Sequence, residues 1–489
     1  MLRHLPWLLP VVPLTTAALM LLFRNRKMLA ALDVLGSASV AVLSLVLAKG
    51  VLQQDVLAAG AFRADALTAI FLLLISLLAF ATSIYTTGWM KEELESGEMH
   101  EALIRYYYAL VHAFIATMLF TVLADDLGVL WIAMEGTTIT SALLVGFHGN
   151  RFALEAAWKY IIVTTIGISF GLFGTVLIYA AATHVEGAGV VDAMSWSSVA
   201  GVAGQLDPGI VRMGFIFVVV GYGTKAGLAP THMWLPDAHS QAPSPVSALL
   251  SGALIKCALF GIIRFHTIAR GACGPEVSGQ LLLIFGLISV VFATPFILAQ
   301  NDLKRLLGYH SVEHVGIVAL GLGFGGPIGT YGALLHAINH GVTKALVFFV
   351  SGDVIGRYES RNMHEIRGLL RVAPAVGVLL LLGAFSLAGT PPFSIFLSEL
   401  LVIRAGIASG HPFVLGVFLL MVVIIFAGLI HHAGGMAFGV PASTEHRPRS
   451  SRSPLLGMSI LAAVMIALGL YLPNDLHRLL VRATEIVLG

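Results

Sequence analysis

Five ionisable side chains, Glu135, Lys225, Lys256, Lys344 and Glu399, sit inside stretches of sequence that are otherwise almost wholly apolar. A charge at the centre of a bilayer helix costs roughly 2.5–3.5 kcal/mol on insertion scales. Five such costs persist only where the charges act together, and the simplest joint role is a path for small ions, most simply protons. Histidines extend the set. His336, His340 and Lys344 recur at i, i+4 and i+8, which at about 100° per residue stacks them along one stripe of one helix. Imidazole titrates near neutral pH, so two in a row with a lysine make a relay.

Each of these positions also has a plainer reading. Lys225 lies beside a run of glycines and a proline, and Glu135, mid-span in the same half, is its natural partner. Burial disfavours a charged amine and a nearby carboxylate restores it, so such a pair switches when the partner moves. The plain reading is a structural ion pair that fixes helix packing. Lys256, near mid-span, is well placed to take a proton from Lys225, or else snorkels to an interface. A His pair at i, i+4 can also ligate a metal, but the Glu of a His-Glu-x-x-His motif is absent, so the sequence gives no metal site. Glu399 follows a proline pair and mirrors Lys225, as the last proton site before the outer face. Lys304, His310, Glu313 and His314 mark the start of one span, with the histidines again at i, i+4. His232, Asp237 and His239 are expected in a loop where they feed or close an inner half-channel. Glu92, Glu93, Glu95, Glu98 and Glu101 form an acidic loop, read as a solvated surface or a docking patch.

Composition says what surrounds these groups. Hydrophobic residues make up 57% of the 489 and charged residues only 11%, against about 25% in soluble domains, so the chain lives in lipid. A formal charge of +2 argues against nucleic acid as a partner. Two cysteines, Cys257 and Cys273, cannot supply an iron–sulfur cluster, and no Gly-rich phosphate loop is present for ATP. No cofactor is therefore expected. The apolar start, broken by Pro10 and Pro13, reads as a retained first span rather than a cleaved leader.

A span needs about 20 apolar residues. Fourteen are read: 5–23, 29–49, 65–89, 107–124, 127–147, 158–182, 209–228, 244–265, 280–299, 307–325, 328–355, 372–390 continuing after a break to 408, 412–438 and 454–472. With the N-terminus outside, the inner loops hold sixteen of the 28 basic residues and the outer segments nine, the rest being the intramembrane lysines. Two spans are interrupted, span 7 at Gly221–Pro230 and span 12 at Ala388–Phe393. Broken helices in corresponding positions of two halves point to a transporter's site, so the chain reads as two halves, roughly 107–268 and 280–438. After Pro473, Leu476, Leu479, Leu480, Ala483 and Val487 recur at helical spacing, an interfacial amphipathic helix too short to span. Its arginines fall on the outer side, against the charge rule.

The run Leu130–Glu135, the block Thr224–His239, Ala242–Ala248 and Asp302–Leu307 resemble the antiporter-like membrane subunits of respiratory complex I, a family that includes Mrp-type Na+/H+ antiporter subunits and the membrane subunits of group 4 hydrogenases. Met134–Thr138, Tyr309–His314 and Pro391–Glu399 look most like the F subunit of hydrogenase-4 and formate hydrogenlyase-type complexes. The resemblance implies an all-α polytopic membrane protein of about 14 transmembrane helices, with two inverted five-helix repeats and broken helices 7 and 12. It divides the chain into helices 1–3 (residues 1–106), a first half-channel repeat (107–268), a second (269–438), and helix 14 with the amphipathic helix (439–489). Glu135 and Lys225 match the first half's charge pair, Lys256 the central lysine, and His336, His340 and Lys344 the connecting axis. Glu399 falls where several relatives carry lysine and others glutamate.

The implied function is proton translocation by a non-redox subunit of an inner-membrane oxidoreductase, coupled to electron transfer elsewhere in the complex. The implied partners are other membrane subunits of a hydrogenase or complex I-like assembly, its soluble redox arm, membrane lipid, and protons or Na+. The rival readings are an Mrp-type cation/proton antiporter subunit, a membrane partner in inorganic-carbon uptake, and a purely structural anchor.

Overall fold

The computed structural model describes residues 4–185, 192–441 and 451–489. Arg3, Arg447 and Arg449, part of the charge-bias count, lie outside the described residues. The long helices in chain order are α1 (Leu5–Leu22), α2 (Arg26–Gln54), α3 (Ala66–Ser96), α4 (Ile104–Leu123), α5 (Leu127–Val145) and α6 (Arg151–Thr183). A short α7 (Trp196–Gly201) precedes α8 (Pro208–Ala226), α9 (Trp234–Gln241), α10 (Ser244–Leu249) and α11 (Ile255–Cys273). Then come α12 (Pro275–Ala299), α13 (Leu303–Phe324), α14 (Gly326–Tyr358) and a one-turn α15 (Leu369–Val372). The chain closes with α16 (Pro374–Leu387), α17 (Ser394–Ala408), α18 (Pro412–Phe438), α19 (Ser453–Leu470) and α20 (Asn474–Leu488).

Among the described residues, twelve segments are long and apolar enough to cross a membrane. Two more complete the fourteen: α13, twenty-two residues but carrying Lys304, Arg305 and Glu313, and the broken pair α16–α17. Starts are set by capping chemistry. The carboxylates of Asp65, Asp126, Asp207 and Asp302 each accept an N–H of the first turn, and proline opens α12, α16 and α18, where its missing donor costs nothing. The α10–α11 span and α14 are wholly enclosed by other helices, whereas α2 and α18 keep most of their surface outward, with side chains such as Leu35 and Val423 exposed. In lipid those outer apolar faces need no cover, and the charged stripe is held at the centre.

Loops following the third, fifth, seventh, ninth and eleventh spans meet around one cavity lined by Glu93, His148, Ala242, Lys304 and Arg361. At the other end, Phe62 bridges Ala124 and Asp126 bridges Ser195, joining the loops after the second, fourth and sixth spans. Odd and even loops therefore gather at opposite ends, as alternating passes require.

Four features depart from the sequence reading. Leu57–Ala59 and Phe62–Ala64 pair as a small antiparallel hairpin, a local break in an otherwise helical chain. Asp237 and His239, expected in a loop, lie on α9, which continues the seventh span beyond its break. Arg264, counted as an outer-loop charge, is buried and forked onto Asp65 (2.8 and 2.9 Å), with Trp196 and Phe260 stacked on its guanidinium. Finally, α20 lays Leu479, Leu480, Ala483 and Val487 against protein, chiefly α3 and α14, so these apolar residues face neighbouring helices and not lipid. Its Arg482 is paired with Asp55 at 2.8 Å and donates to the final carbonyls of α2, which resolves the mismatch with the charge rule for that residue.

Candidate functional site

Both interruptions are built alike. α8 ends at Gly227, whose φ of 83° only glycine adopts without cost, and the chain runs irregularly to α9. The second break carries Gly389 at φ 64° between α16 and α17. Each contains a cis proline bond, Ala229–Pro230 and Pro391–Pro392. Backbone groups freed at the first break are satisfied from within: the Ala229 N–H donates to Ser289 Oγ (2.9 Å) and the Trp234 indole N–H to the Thr224 carbonyl (2.8 Å). A Cβ at Gly389 would land on the Glu399 carboxylate, so glycine there makes the space that the carboxylate occupies.

Lys225 is fully buried at the end of α8, and its ammonium donates to Thr138 Oγ1 (2.6 Å) and Tyr160 Oη (2.7 Å). Glu135 does not touch it directly. The half-buried carboxylate accepts from Thr138 Oγ1 (3.2 Å) and Thr165 Oγ1 (3.0 Å), so the expected pair is joined through one threonine hydroxyl. A hydroxyl both accepts and donates, so this bridge can link the two groups by hydrogen bonds without their closing on each other. Tyr160 passes the network on to Ser141 (2.7 Å).

Lys256 sits where the eighth span is wound as a π-helix, Leu250–Leu254. That widened turn frees the Ser251 carbonyl five residues back, which accepts from the lysine at 2.7 Å. On the other side the ammonium lies 2.7 Å from His340 Nδ1. The two helices come this close because Gly252 and Gly341 face each other; a Cβ on Gly341 would stand 2.8 Å from the Gly252 carbonyl oxygen.

From His340 the chain of groups leaves its own helix. The His314 ring of α13 stacks on His340 (centroids 4.5 Å apart) and its Nδ1 meets His336 Nε2 at 3.0 Å; His336 Nδ1 then reaches Ser398 Oγ at 3.0 Å. Ser398 adjoins Glu399 on α17. His336 and His340 themselves stand 6.3 Å apart, so His314, a secondary candidate in the sequence, is the group that connects them. Lys344 lies off this line, donating to the Leu307 carbonyl at 2.8 Å. His310 pairs with Glu313 (2.8 Å) one turn before His314.

Glu399 is buried with one ligand-type atom each of His314 and His336 within a 4.8 Å set, and His310, Glu313 and His314 form another such set. These are groupings the His336/His340 spacing did not foresee. Within them His314 Nδ1 is paired with His336 and His310 Nδ1 with Glu313, while His310 Nε2 and His314 Nε2 have no hydrogen-bond partner among the described residues.

The remaining sequence candidates sort by position. His232 is buried in the first break against Phe292. Asp237 is at the surface, paired with Lys159 and Arg305 (3.3 Å each). His239 is fully buried, stacked on Phe348. Lys304 is buried and donates to the Ala242 carbonyl. No hydrogen bond among the described residues joins the Lys225 group to the Lys256 group. Residues that sequence reasoning passed over are the hydroxyls of Thr138, Tyr160 and Ser398 and the backbone carbonyl of Ser251, together with a buried pair outside the line, His112 and Asp33 (3.0 Å). Only the i, i+4 spacing of His310 and His314 signalled any of the missing links.

Comparison with known proteins agrees with this fold. The model of the family described as NADH:quinone oxidoreductase/Mrp antiporter, TM, matches residues 124–425. A hydrogenase-4 component F homolog of Methylacidiphilum infernorum is 34% identical over 425 residues, 87% of this chain and 85% of that one. Among solved structures, a chain of the archaeal membrane-bound sulfane sulfur reductase superposes with a TM-score of 0.88 at 24% identity, covering 99% of this chain and 98% of its own. A chain of the Mrp complex from Dietzia sp. DQ12-45-1b gives 0.84 at 20% identity, covering 100% and 99%. The chain belongs to the family of antiporter-like membrane subunits shared by NADH:quinone oxidoreductases and Mrp antiporters.

Proposed function

We propose that this antiporter-like subunit moves protons across the bacterial or archaeal inner membrane as a non-redox part of a hydrogenase-like or complex I-like assembly, with the driving energy arriving electrostatically from a partner that handles electrons. The observation that carries the reading is the buried line Lys256–His340–His314–His336–Ser398, four contacts across four helices ending beside Glu399. Neutral packing would not collect an ammonium, three imidazoles and a carboxylate at the centre of a lipid-facing bundle. Protons enter from the inside near Lys225, pass to Lys256, follow the histidine line and leave past Glu399. The Thr138 bridge lets Glu135 bias the charge on Lys225 without a fixed ion pair.

In this reading the partners are neighbouring membrane subunits and a soluble redox arm; the solved structural relatives come from multi-subunit membrane complexes. Lys225→Ala is expected to abolish proton pumping by the assembled complex while assembly persists, measured as quenching of a pH-sensitive dye in inside-out vesicles. Normal pumping in that variant rejects the role. The likeness to a chain of an Mrp complex keeps a second reading, a cation/proton antiporter subunit, which sodium dependence of transport would select.

A further inference from the structure

Glu399 is the buried group that no contact explains. It is only 6% exposed, yet among the described residues no hydrogen bond or ion pair reaches its carboxylate, and the one side-chain charge felt there is that of Glu313, of the same sign. A buried carboxylate is ordinarily paired or coordinates a metal. The fold makes room for this one, since glycine at 389 in the second break leaves the space that the carboxylate occupies. The imidazoles beside it have nitrogens to spare. His310 Nε2, His314 Nε2 and His340 Nε2 are all buried without a hydrogen-bond partner among the described residues.

One donor atom each from His314, His336 and Glu399 lies within 4.8 Å of the other two. Donors on a tetrahedral zinc ion, with bonds of about 2.0–2.1 Å, stand about 3.3 Å from one another. The three groups therefore close on such an ion by shifts of about 1.5 Å or less, which side-chain rotation supplies. They come from α13, α14 and α17, so three packed helices hold them in place. Two imidazoles and one carboxylate suit a zinc-class transition metal, whereas hard cations such as Ca2+ or Mg2+ take oxygen ligands. The neighbouring triad of His310, Glu313 and His314 is less suited, because its carboxylate is already held by His310 at 2.8 Å.

We propose that His314, His336 and Glu399 form a binding site for a zinc-class divalent cation, and that its occupancy shuts the histidine line. The ion is a competitor of the proton here and not a resident cofactor. Coordination takes the lone pair of a ligand nitrogen, and a nitrogen on a metal accepts no proton. Binding also breaks the 3.0 Å contact between His314 and His336, the step that joins the Lys256–His340 end of the line to Ser398. The metal site stands on donor geometry and the unpartnered carboxylate alone; its effect on pumping rests on the proton-translocating reading given above.

The test is zinc content. The assembled complex is stripped with a chelator, dialysed against buffered Zn2+ and its bound zinc measured by elemental mass spectrometry. The parent is expected to hold one zinc more than Glu399→Gln and one more than His336→Phe, each purified as the intact complex, while Glu313→Gln keeps the parental content. Equal zinc in the parent and both ligand variants overturns the site. Loss of zinc from Glu313→Gln overturns it as well, since that carboxylate lies outside the set. Pumping by the zinc-loaded parent, reconstituted in vesicles, separates the two readings: protons moved per electron are expected to fall at least about tenfold, the loss of a positioned proton carrier, and to recover when a chelator removes the ion. If the zinc is bound and the ratio is unchanged, the shut-off fails together with the translocation reading while the metal site stands. If no zinc is bound and His314→Phe still stops pumping, only the metal site fails.

Discussion

His314 is the most exposing place to perturb, because the proposed relay's continuity depends on it and no sequence spacing required that it should. His314→Phe keeps a flat ring of similar size between His340 and His336, whose centroids lie 4.5 and 5.1 Å from that of His314. It removes both nitrogens. His336 and His340 are then left 6.3 Å apart with no titratable group between them. Proton transfer requires heavy atoms within about 2.6–3.2 Å, or one water, and a positioned carrier contributes roughly 10²-fold or more. Pumping is therefore expected to fall about a hundredfold, corresponding to roughly 2.7 kcal/mol at the barrier. The variant also strands His336 Nε2, now hydrogen-bonded to His314 at 3.0 Å, at a stability cost of about 1–3 kcal/mol. The assay is proton uptake against electron turnover in inside-out vesicles, with thermal unfolding of the purified complex run alongside. A wild-type ratio of protons to electrons in a folded His314→Phe complex would refute the argument, since the line would then carry no protons.

Two further outcomes follow from the geometry. Thr138→Val cuts the link between Lys225 and Glu135 while leaving the Tyr160 bond to the lysine, and should slow pumping about tenfold or more, from the loss of a charge-assisted hydrogen bond of about 1.5–3 kcal/mol; pumping equal to wild type would show that Glu135 acts on Lys225 without the hydroxyl. Arg264→Met strips the buried Asp65 of its forked partner and is expected to destabilise the protein by about 3–5 kcal/mol, read as a lower unfolding temperature, with unchanged pumping per assembled complex below it.

What the linear chain determined was the list of parts. Hydropathy and the cost of charge in lipid were enough to place fourteen spans, to find the two interruptions at Gly221–Pro230 and Ala388–Phe393, and to single out Glu135, Lys225, Lys256, His336, His340, Lys344 and Glu399. Those inferences rest on local quantities, since each residue's transfer cost depends on its own segment. The wiring was decided only in three dimensions. That Thr138 stands between Glu135 and Lys225, that His314 of α13 links two histidines of α14, and that a π turn aims Lys256 at His340 all depend on which helices adjoin and at what rotation. A hydroxyl or imidazole costs little in any span and so leaves no sequence signal of its partners. The same reasoning covers Arg264 and Arg482: as letters they are basic residues at the ends of helices, and only packing reveals that one is buried on Asp65 and the other caps α2. Composition sets where a charge is expensive; the neighbouring helix sets what it is for.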